Sequence, residues 1–529
     1  MTDAHRHEVA LDVLYPSGFY SFQTPLTLDY VAALNGVPRG HRSADAPFTY
    51  LDLGCGDGFT IVCLAAIYPE SRFVGVDFNP RHIAAGRALA AAGGLSNVEL
   101  IEGGFEDWRS LDLPPRVDYV AMHGVYAWIS EAARRAVLDL VADRLAEGGL
   151  LYVSYNALPG WAAVAPLRQY FLDYTRGMGP DAIANVAATL AHLKELRAKG
   201  AEYFVRNPAA SGFLDELAAK DIRYVAHEIY SPHWSPLPFS AVSSQMRGIG
   251  LSFAGSADLA KNFARSSVKS ELYPLVAKER NRERAELYRD YANNTFFRRD
   301  VFVRRPEDAP REDPRRLLAA FPFGAKVPGP ELARVLPLPT GPMPVEGQPF
   351  EGLRRALARG ARRLPEIAAA DSALAARFSV LDLAEALQVM SLGFQVAPFT
   401  RSVAPASAPD AERPIVDWTI PLPLNRRLLA EPVGGGDPFI LTVSPTAGTA
   451  IPVVPGDALV LLAVAEAGAA DAADWAWDYA SSRKAWLYRK PGGGAITERG
   501  AHGAAFAEQK AALAGRLPKW AELGLIALR

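Results

Sequence analysis

The run Leu51-Asp52-Leu53-Gly54-Cys55-Gly56-Asp57-Gly58 constrains this chain more than any other. An apolar segment, Phe48 to Leu53, meets glycines at alternate positions, and an apolar stretch of helical length follows to Ile67. Glycine lets the backbone turn sharply and approach a ligand closely, while the next helix directs its positive N-terminal end there. Strand, tight turn and helix together predict a ligand site at the carboxyl end of the first strand.

The alternation of strand and helix continues. Arg72 to Asp77 reads as a second strand, Asn79 as an N-cap with Pro80 at the first helical position, and Gly93 and Gly94 as the stop. Val98 to Glu102 is a third strand and Val117 to His123 a fourth. The next helix places Ala133, Ala136, Val137, Leu140 and Val141 on one face, and Leu150 to Tyr155 forms a fifth strand. Such spacing implies right-handed crossovers and an α/β fold, a parallel sheet covered on both faces. Beyond Trp161, helical patterning (Ile183, Val186, Leu190, Leu193) predicts an insertion over about 162–222. Tyr224 to Tyr230 and Leu251 to Ala254 read as two further strands around a helix near Ala241 to Arg247, completing the sheet with a reversed edge strand. The charged segment from Lys261 to Arg316 reads as helical, then proline-rich, with a solvated face. After Leu317 come proline-rich loops, a helix from Phe378 to Met390, an exposed loop at Ser402 to Arg413 and a strand from Pro438 to Val443. The expected division is 1–265 for the ligand-binding domain, 266–316 for a connector and 317–529 for a separate mixed α+β domain.

A length of 529 residues agrees, because one core seldom serves so long a chain. With 50% hydrophobic and 22% charged residues the chain is an ordinary globular one, and its net charge of −2 argues against a nucleic-acid binder. Cys55 and Cys63 are the only cysteines, too few for a disulfide framework or a cysteine zinc site, and no metal is expected. The N-terminal sequence lacks an apolar signal core and no later run has the length of a membrane span, so a cytoplasmic protein is expected.

The ligand follows by elimination. A Walker loop needs Lys and Ser or Thr after its spaced glycines, and neither is present. The dinucleotide fingerprint needs a third glycine where Phe59 stands. The spacing of Gly54, Gly56 and Gly58, with Asp52 inside the strand to meet an ammonium group, fits S-adenosylmethionine (SAM). Asp77 ends the second strand, where a carboxylate accepts the ribose hydroxyls, and Phe78 follows it. Phe105, Glu106 and Asp107 follow the third strand, where the adenine would lie; either acid could face the ring. The reaction implied is methyl transfer, catalysed mainly by positioning.

The acceptor is expected at the ends of strands four and five, which run into His123-Gly124-Val125-Tyr126-Ala127-Trp128 and Ser154-Tyr155-Asn156-Ala157-Leu158-Pro159-Gly160-Trp161. His123, Tyr126, Trp128, Tyr155, Asn156 and Trp161 are the candidate catalytic residues, with His123 also beside the cofactor. Rings bearing hydroxyl, amide and imidazole groups suit an amine acceptor, which must be neutral to attack. The aromatic cluster from Tyr15 to Phe22 is placed to close over the cofactor.

LDLGCGDG, VGVDFNP, HGVYAWI and above all SYNALPGW resemble the bacterial class I methyltransferases that carry a methyltransferase regulatory domain, a group containing protein-lysine methyltransferases of outer-membrane proteins. The likeness continues through HEIYSPHWSPLPF (His227 to Phe239) and ELYRDYANNTFFRRDVF (Glu286 to Phe302), and more weakly through PLNRRLLAE and SPTAGTAIPVV. It implies a Rossmann-like SAM-binding sheet with a helical insertion, a winged-helix-like C-terminal module and lysine of a protein as acceptor. A metabolite methyltransferase and a non-catalytic SAM-binding regulator are the alternatives, and homodimer formation is left open.

Overall fold

The computed structural model describes residues 18–38, 46–179, 181–231, 233–338, 340–404, 417–430, 438–488 and 493–529. Residues 15–17 of the N-terminal aromatic cluster, Pro232 and residues 405–413 of the expected loop lie outside them, as do the side chains of Tyr224 and His227.

A seven-stranded sheet organises the first 304 residues: β1 (Thr49–Leu53), β2 (Arg72–Asp77), β3 (Val98–Glu102), β4 (Val117–Met122), β5 (Leu145–Asn156), β6 (Leu251–Ser256) and β7 (Phe297–Arg304). They lie in the order β3-β2-β1-β4-β5-β7-β6, with β1 to β5 parallel and β7 antiparallel to both neighbours. Side chains alternate along each strand as the pleat requires. Tyr50, Phe73, Tyr119 and Tyr152 face one core, under α1 (Pro25–Leu34), α2 (Phe59–Ile67) and α3 (Pro80–Ala92). Leu51, Val74, Val120 and Val153 face the other, under α4 (Glu131–Arg144) and the helix Phe239–Gly248.

Caps explain the ends of these helices. Asn79 accepts from the backbone N–H of Arg81 with Pro80 at N1, and Ser130 accepts from that of Ala133. Helix α2 is buried from Thr60 to Ile67 because the hairpin of Ile440–Ser444 and Thr449–Val453 covers its outer side.

Two expectations about the second half of the sheet are corrected. Tyr224 to Tyr230 is not a strand: Ile222–Tyr230 is a helix, N-capped by Asp221, with Val225, Ala226, Ile229 and Tyr230 buried. Its β-branched and aromatic residues fall at helical spacing, and packing on the insertion decided the outcome. The reversed strand is β7, which lies inside the sheet between β5 and β6 rather than at its edge. The sheet therefore extends past residue 265 into the segment expected to be helical and solvated. Alternation on β7 sends Val301 and Val303 to one face and Arg298, Asp300 and Phe302 to the other. Its inward charges are paired: Arg298 reaches Asp300 at 2.9 Å and Asp290 at 2.7 Å, and also Glu286, itself bound to Arg289.

The insertion between β5 and β6 is helical, from Ala165–Tyr174 to Ile222–Tyr230, and has its own small core. Beyond residue 317 the chain forms additional helices and separate small sheets. Phe350–Leu357, Arg362–Arg363, Leu364–Ala370, Ser372–Ala375, Val380–Ser391 and Val396–Pro398 follow one another as helix, strand, three helices and strand. Their apolar residues join the core beneath α1, where the Tyr30 hydroxyl lies 2.7 Å from Ser391 Oγ. The elements from Trp418 to Ile526 build a further core, while Leu424, Leu428 and Val443 among them pack into the core beneath α1 to α3. Among the described residues no helix is long and apolar enough to cross a membrane.

Candidate active site

The glycine loop has the conformation its composition demands. Gly54, Gly56 and Gly58 have φ of 76°, 57° and 71°, which favours residues without a Cβ. A Cβ on Gly54 would lie 2.5 Å from the Val125 side chain, whereas one on Gly56 would meet nothing within 4 Å. Space is therefore open above Gly56, on the ligand side. Phe59 does not prevent close helix packing, because Gly75 and Gly86 supply the approach: a Cβ on Gly86 would fall 2.7 Å from the Asp57 carbonyl oxygen.

Two carboxylates border this loop. Asp77 Oδ2 accepts the Gly56 N–H at 3.0 Å, and Oδ1 accepts the Asn79 N–H at 2.9 Å, with His82 Nδ1 at 3.2 Å. The ribose candidate is thus fixed in orientation by the loop and by the start of α3. Asp52 is 2% exposed and held by Gln23 Nε2 at 3.4 Å. Burial, aided by the negative charge of Asp77, pushes its carboxyl up to about 7. A buried acid this reluctant to ionise, beside an open glycine loop, fits a cationic ligand such as the SAM ammonium.

Where the adenine is expected, Phe78 is 49% exposed directly after Asp77. Phe105 is half-buried and Glu106 and Asp107 are both exposed; Glu106 accepts from Ser130 Oγ at 3.4 Å.

His123 leaves the end of β4 and is covered by Tyr20 from the N-terminal segment, with ring centroids 3.9 Å apart. The Tyr20 backbone N–H donates to Thr60 Oγ1, and Thr60 in turn donates to the Gly18 carbonyl, so the described part of the aromatic cluster is tied to α2. His123 Nδ1 lies 2.8 Å from the Tyr152 hydroxyl and 3.3 Å from Ser154 Oγ. Burial, joined by the Arg299 guanidinium, pushes its imidazole down to about 3, so the ring is neutral at physiological pH.

Three of the expected acceptor residues come together. Asn156, 4% exposed, accepts from the indole N–H of Trp161 at 3.2 Å and of Trp234 at 3.3 Å when its amide oxygen faces them. Trp128 is next to Trp234, with centroids 6.2 Å apart, and Trp161 meets Trp234 edge-on at 5.0 Å. Backbone bonds join the segments: Ser235 N–H to Ala127, Leu237 N–H to Asn156 and Gly160 N–H to Thr295. A Cβ on Gly160 would lie 2.5 Å from the Thr295 carbonyl oxygen, which explains that glycine.

The structure does not bring Tyr126 and Tyr155 to this cluster. Both are fully buried beneath the sheet. Tyr126 donates to Gln245 at 2.6 Å and Tyr155 to Asp300 at 2.6 Å. The pleat decides this, since Tyr155 points to the opposite face from Tyr152 and Ser154. Sequence reasoning did not single out Trp234, which the structure places beside Trp128 and Trp161, or Tyr152, Ser154 and Arg299, which it places around His123. Trp234 had a signal, its place in HEIYSPHWSPLPF; the others are brought in by strand pairing alone.

Residues 51–149 match the family model described as "Methyltransferase domain", and residues 221–304 the one described as "Predicted methyltransferase regulatory domain". The uncharacterized protein sll1526 of Synechocystis sp. is 30% identical over 357 residues, covering 68% of this chain and 70% of that one. The uncharacterized protein RP789 of Rickettsia prowazekii is 26% identical over 292 residues, covering 54% of this chain and 51% of that one. The structure of PKMT2 from Rickettsia typhi in complex with AdoHcy shares the fold, with a TM-score of 0.72 at 19% identity over 97% of this chain and 99% of that one. The chain belongs to the SAM-dependent methyltransferases that carry a methyltransferase regulatory domain, and its cofactor is S-adenosylmethionine.

Proposed function

We propose that the chain is a protein methyltransferase whose acceptor is the side-chain amine of lysine. The observation that carries this reading is the cluster of Trp128, Trp161 and Trp234 around Asn156 at the ends of β4 and β5. The two motifs most specific to the family resemblance, HGVYAWI and SYNALPGW, contribute Trp128, Asn156 and Trp161 to it. The full-length likeness to PKMT2 supports the reading as well.

In this reading Asp52, Gly54, Gly56, Gly58, Asp77, Phe78, Phe105, one of Glu106 and Asp107, and His123 surround the cofactor. Bound SAM supplies an electrophilic methyl on a sulfonium sulfur. With SAM bound, the nitrogen–carbon bond would form as the sulfur–carbon bond broke, leaving its electron pair on sulfur, and the amine proton would leave to water. Lysine, with an ordinary pKa near 10.4, is neutral in only about one molecule in a few thousand at pH 7. Half-buried indoles remove water from the ammonium, which favours its neutral form, and guide the stem toward the sulfur. Asn156 holds two of those indoles in fixed orientation. The part of 266–316 outside β7 and the elements beyond 317 would then shape the approach of a large acceptor.

Incubating the purified chain with methyl-labelled SAM and a protein extract tests the proposal. Label on lysine Nε, located by peptide mass spectrometry, is expected. Label confined to metabolites would overturn the protein acceptor, and label on another side chain would overturn lysine.

A further inference from the structure

The hydrogen bonds beneath His123 run in one direction. The Gly124 N–H donates to Ser154 Oγ at 2.7 Å. That hydroxyl lies 3.3 Å from His123 Nδ1, and the Tyr152 hydroxyl lies 2.8 Å from the same nitrogen. Ser154 and Tyr152 are both fully buried, so each O–H needs an acceptor within the protein. If Nδ1 carried a proton, the Tyr152 O–H would face another donor. Nδ1 is therefore the acceptor, and the proton of the neutral ring is on Nε2. Among the described residues Nε2 makes no hydrogen bond.

The charges around this ring favour an anion. Arg299 is held between the rings of Phe22 and Phe297, at 4.2 and 5.0 Å, and Phe297 also packs edge-on against His123. Asp258 lies 3.6 Å from Arg299 and shares itself with Lys261, while Asp300 is bound to Arg298. Tyr20, stacked on His123, is the ring that feels the charges of Asp57 and Asp52. A bound amino acid whose ammonium met Asp52 would carry its carboxylate one carbon away, within reach of the Tyr20 and His123 pair.

We infer that His123 is a fixed hydrogen-bond donor, not a base: its Nε2–H binds the methionine carboxylate of the cofactor, and Tyr152 with Ser154 sets the tautomer that makes this possible. His123 is thereby removed as the group that deprotonates the acceptor. Tyr152 and Ser154 are positioning residues. The inference rests on the cofactor placement proposed above but not on the identity of the acceptor.

Binding without turnover tests it. Calorimetry with S-adenosylhomocysteine should show about ten-fold weaker affinity for His123→Ala, the loss of one charge-assisted hydrogen bond. His123→Gln, which keeps an N–H donor near the Nε2 position, should recover most of it. The decarboxylated analogue should bind the wild type and His123→Ala alike. Nitrogen-15 spectra of the wild-type ring, assigned by the signal lost in His123→Gln, should show protonated Nε2 and bare Nδ1 at pH 7, and Tyr152→Phe should mix the tautomers. A protonated Nδ1, or equal weakening of both ligands by His123→Ala, would overturn the inference. Failure of lysine methylation would leave these readouts unchanged, so the two readings fail separately.

Discussion

The Tyr155 hydroxyl donates to Asp300 Oδ2 at 2.6 Å, inside a fully buried part of the sheet. It joins the end of β5, beside the acceptor cluster, to the charge network of β7 and the helix Arg282–Asn293. Tyr155→Phe removes that donor while Arg298 still holds Asp300 through Nε and Nη2. Stability should fall by about 1–3 kcal/mol in urea denaturation, with kcat changed less than the folding midpoint. A large loss of kcat at unchanged stability would return Tyr155 to the acceptor site.

Arg298 is bound to three buried carboxylates, Glu286, Asp290 and Asp300, and lies over the Phe239 ring at 4.3 Å. Arg298→Met leaves those carboxylates without their shared cation, and a loss of about 3–5 kcal/mol is expected. Because Thr295 and Phe296 hold the Gly160-Trp161 turn, the variant should also show altered Trp fluorescence at temperatures where it is still folded.

The Asp52 carboxyl, raised to about 7 with Asp77 and Gln23 as its polar neighbours, makes cofactor binding depend on pH. Below that pH the free site holds a proton that the incoming ammonium must displace. Affinity for S-adenosylhomocysteine should therefore fall as pH drops from 8 to 5.5, by up to about ten-fold per unit. Asp52→Asn should bind weakly at every pH and lose the slope. Without ligand the sign reverses for folding: a raised carboxyl favours the native state below the unfolded value near 4, and that contribution is lost as pH rises toward 7. Thermal denaturation of the empty Asp52→Asn protein should show a gain at pH 8 that is absent at pH 4.

Gly56 and Gly86 separate ligand space from packing space. Gly56→Ala enters open space at positive φ, so AdoHcy binding should be lost with only about 1–2 kcal/mol of destabilisation. Gly86→Ala presses a Cβ against the Asp57 backbone and should cost stability and binding together. Calorimetry and urea melts of both variants check the contrast.

Trp234→Phe removes one of the two N–H groups on Asn156 while keeping a ring. KM for the protein acceptor should rise several-fold with AdoHcy affinity unchanged. A parallel loss of cofactor affinity would place Trp234 on the wrong side of the site.

The first five strands, the glycine loop, Asp52 and Asp77 were legible because each rests on neighbours within a few dozen residues: a strand, its turn and the next helix carry their own periodicity and caps. Val225, Ala226, Ile229 and Tyr230 misled because residue type suits either a strand or a buried helix, and only the insertion packed against them distinguishes the two. Charges on β7 suggested solvent; Arg298 and Asp300 instead satisfy one another inside the protein. Asn156 and Trp161 could be singled out from their motif, but not the convergence with Trp234, more than seventy residues on. The sequence alone determined a SAM-type loop on a parallel sheet, because that signal is local. Tertiary structure alone decided which aromatic residues gather around Asn156 and which hydroxyls reach His123 Nδ1, because strand pairing and burial set those, and both join segments distant along the chain.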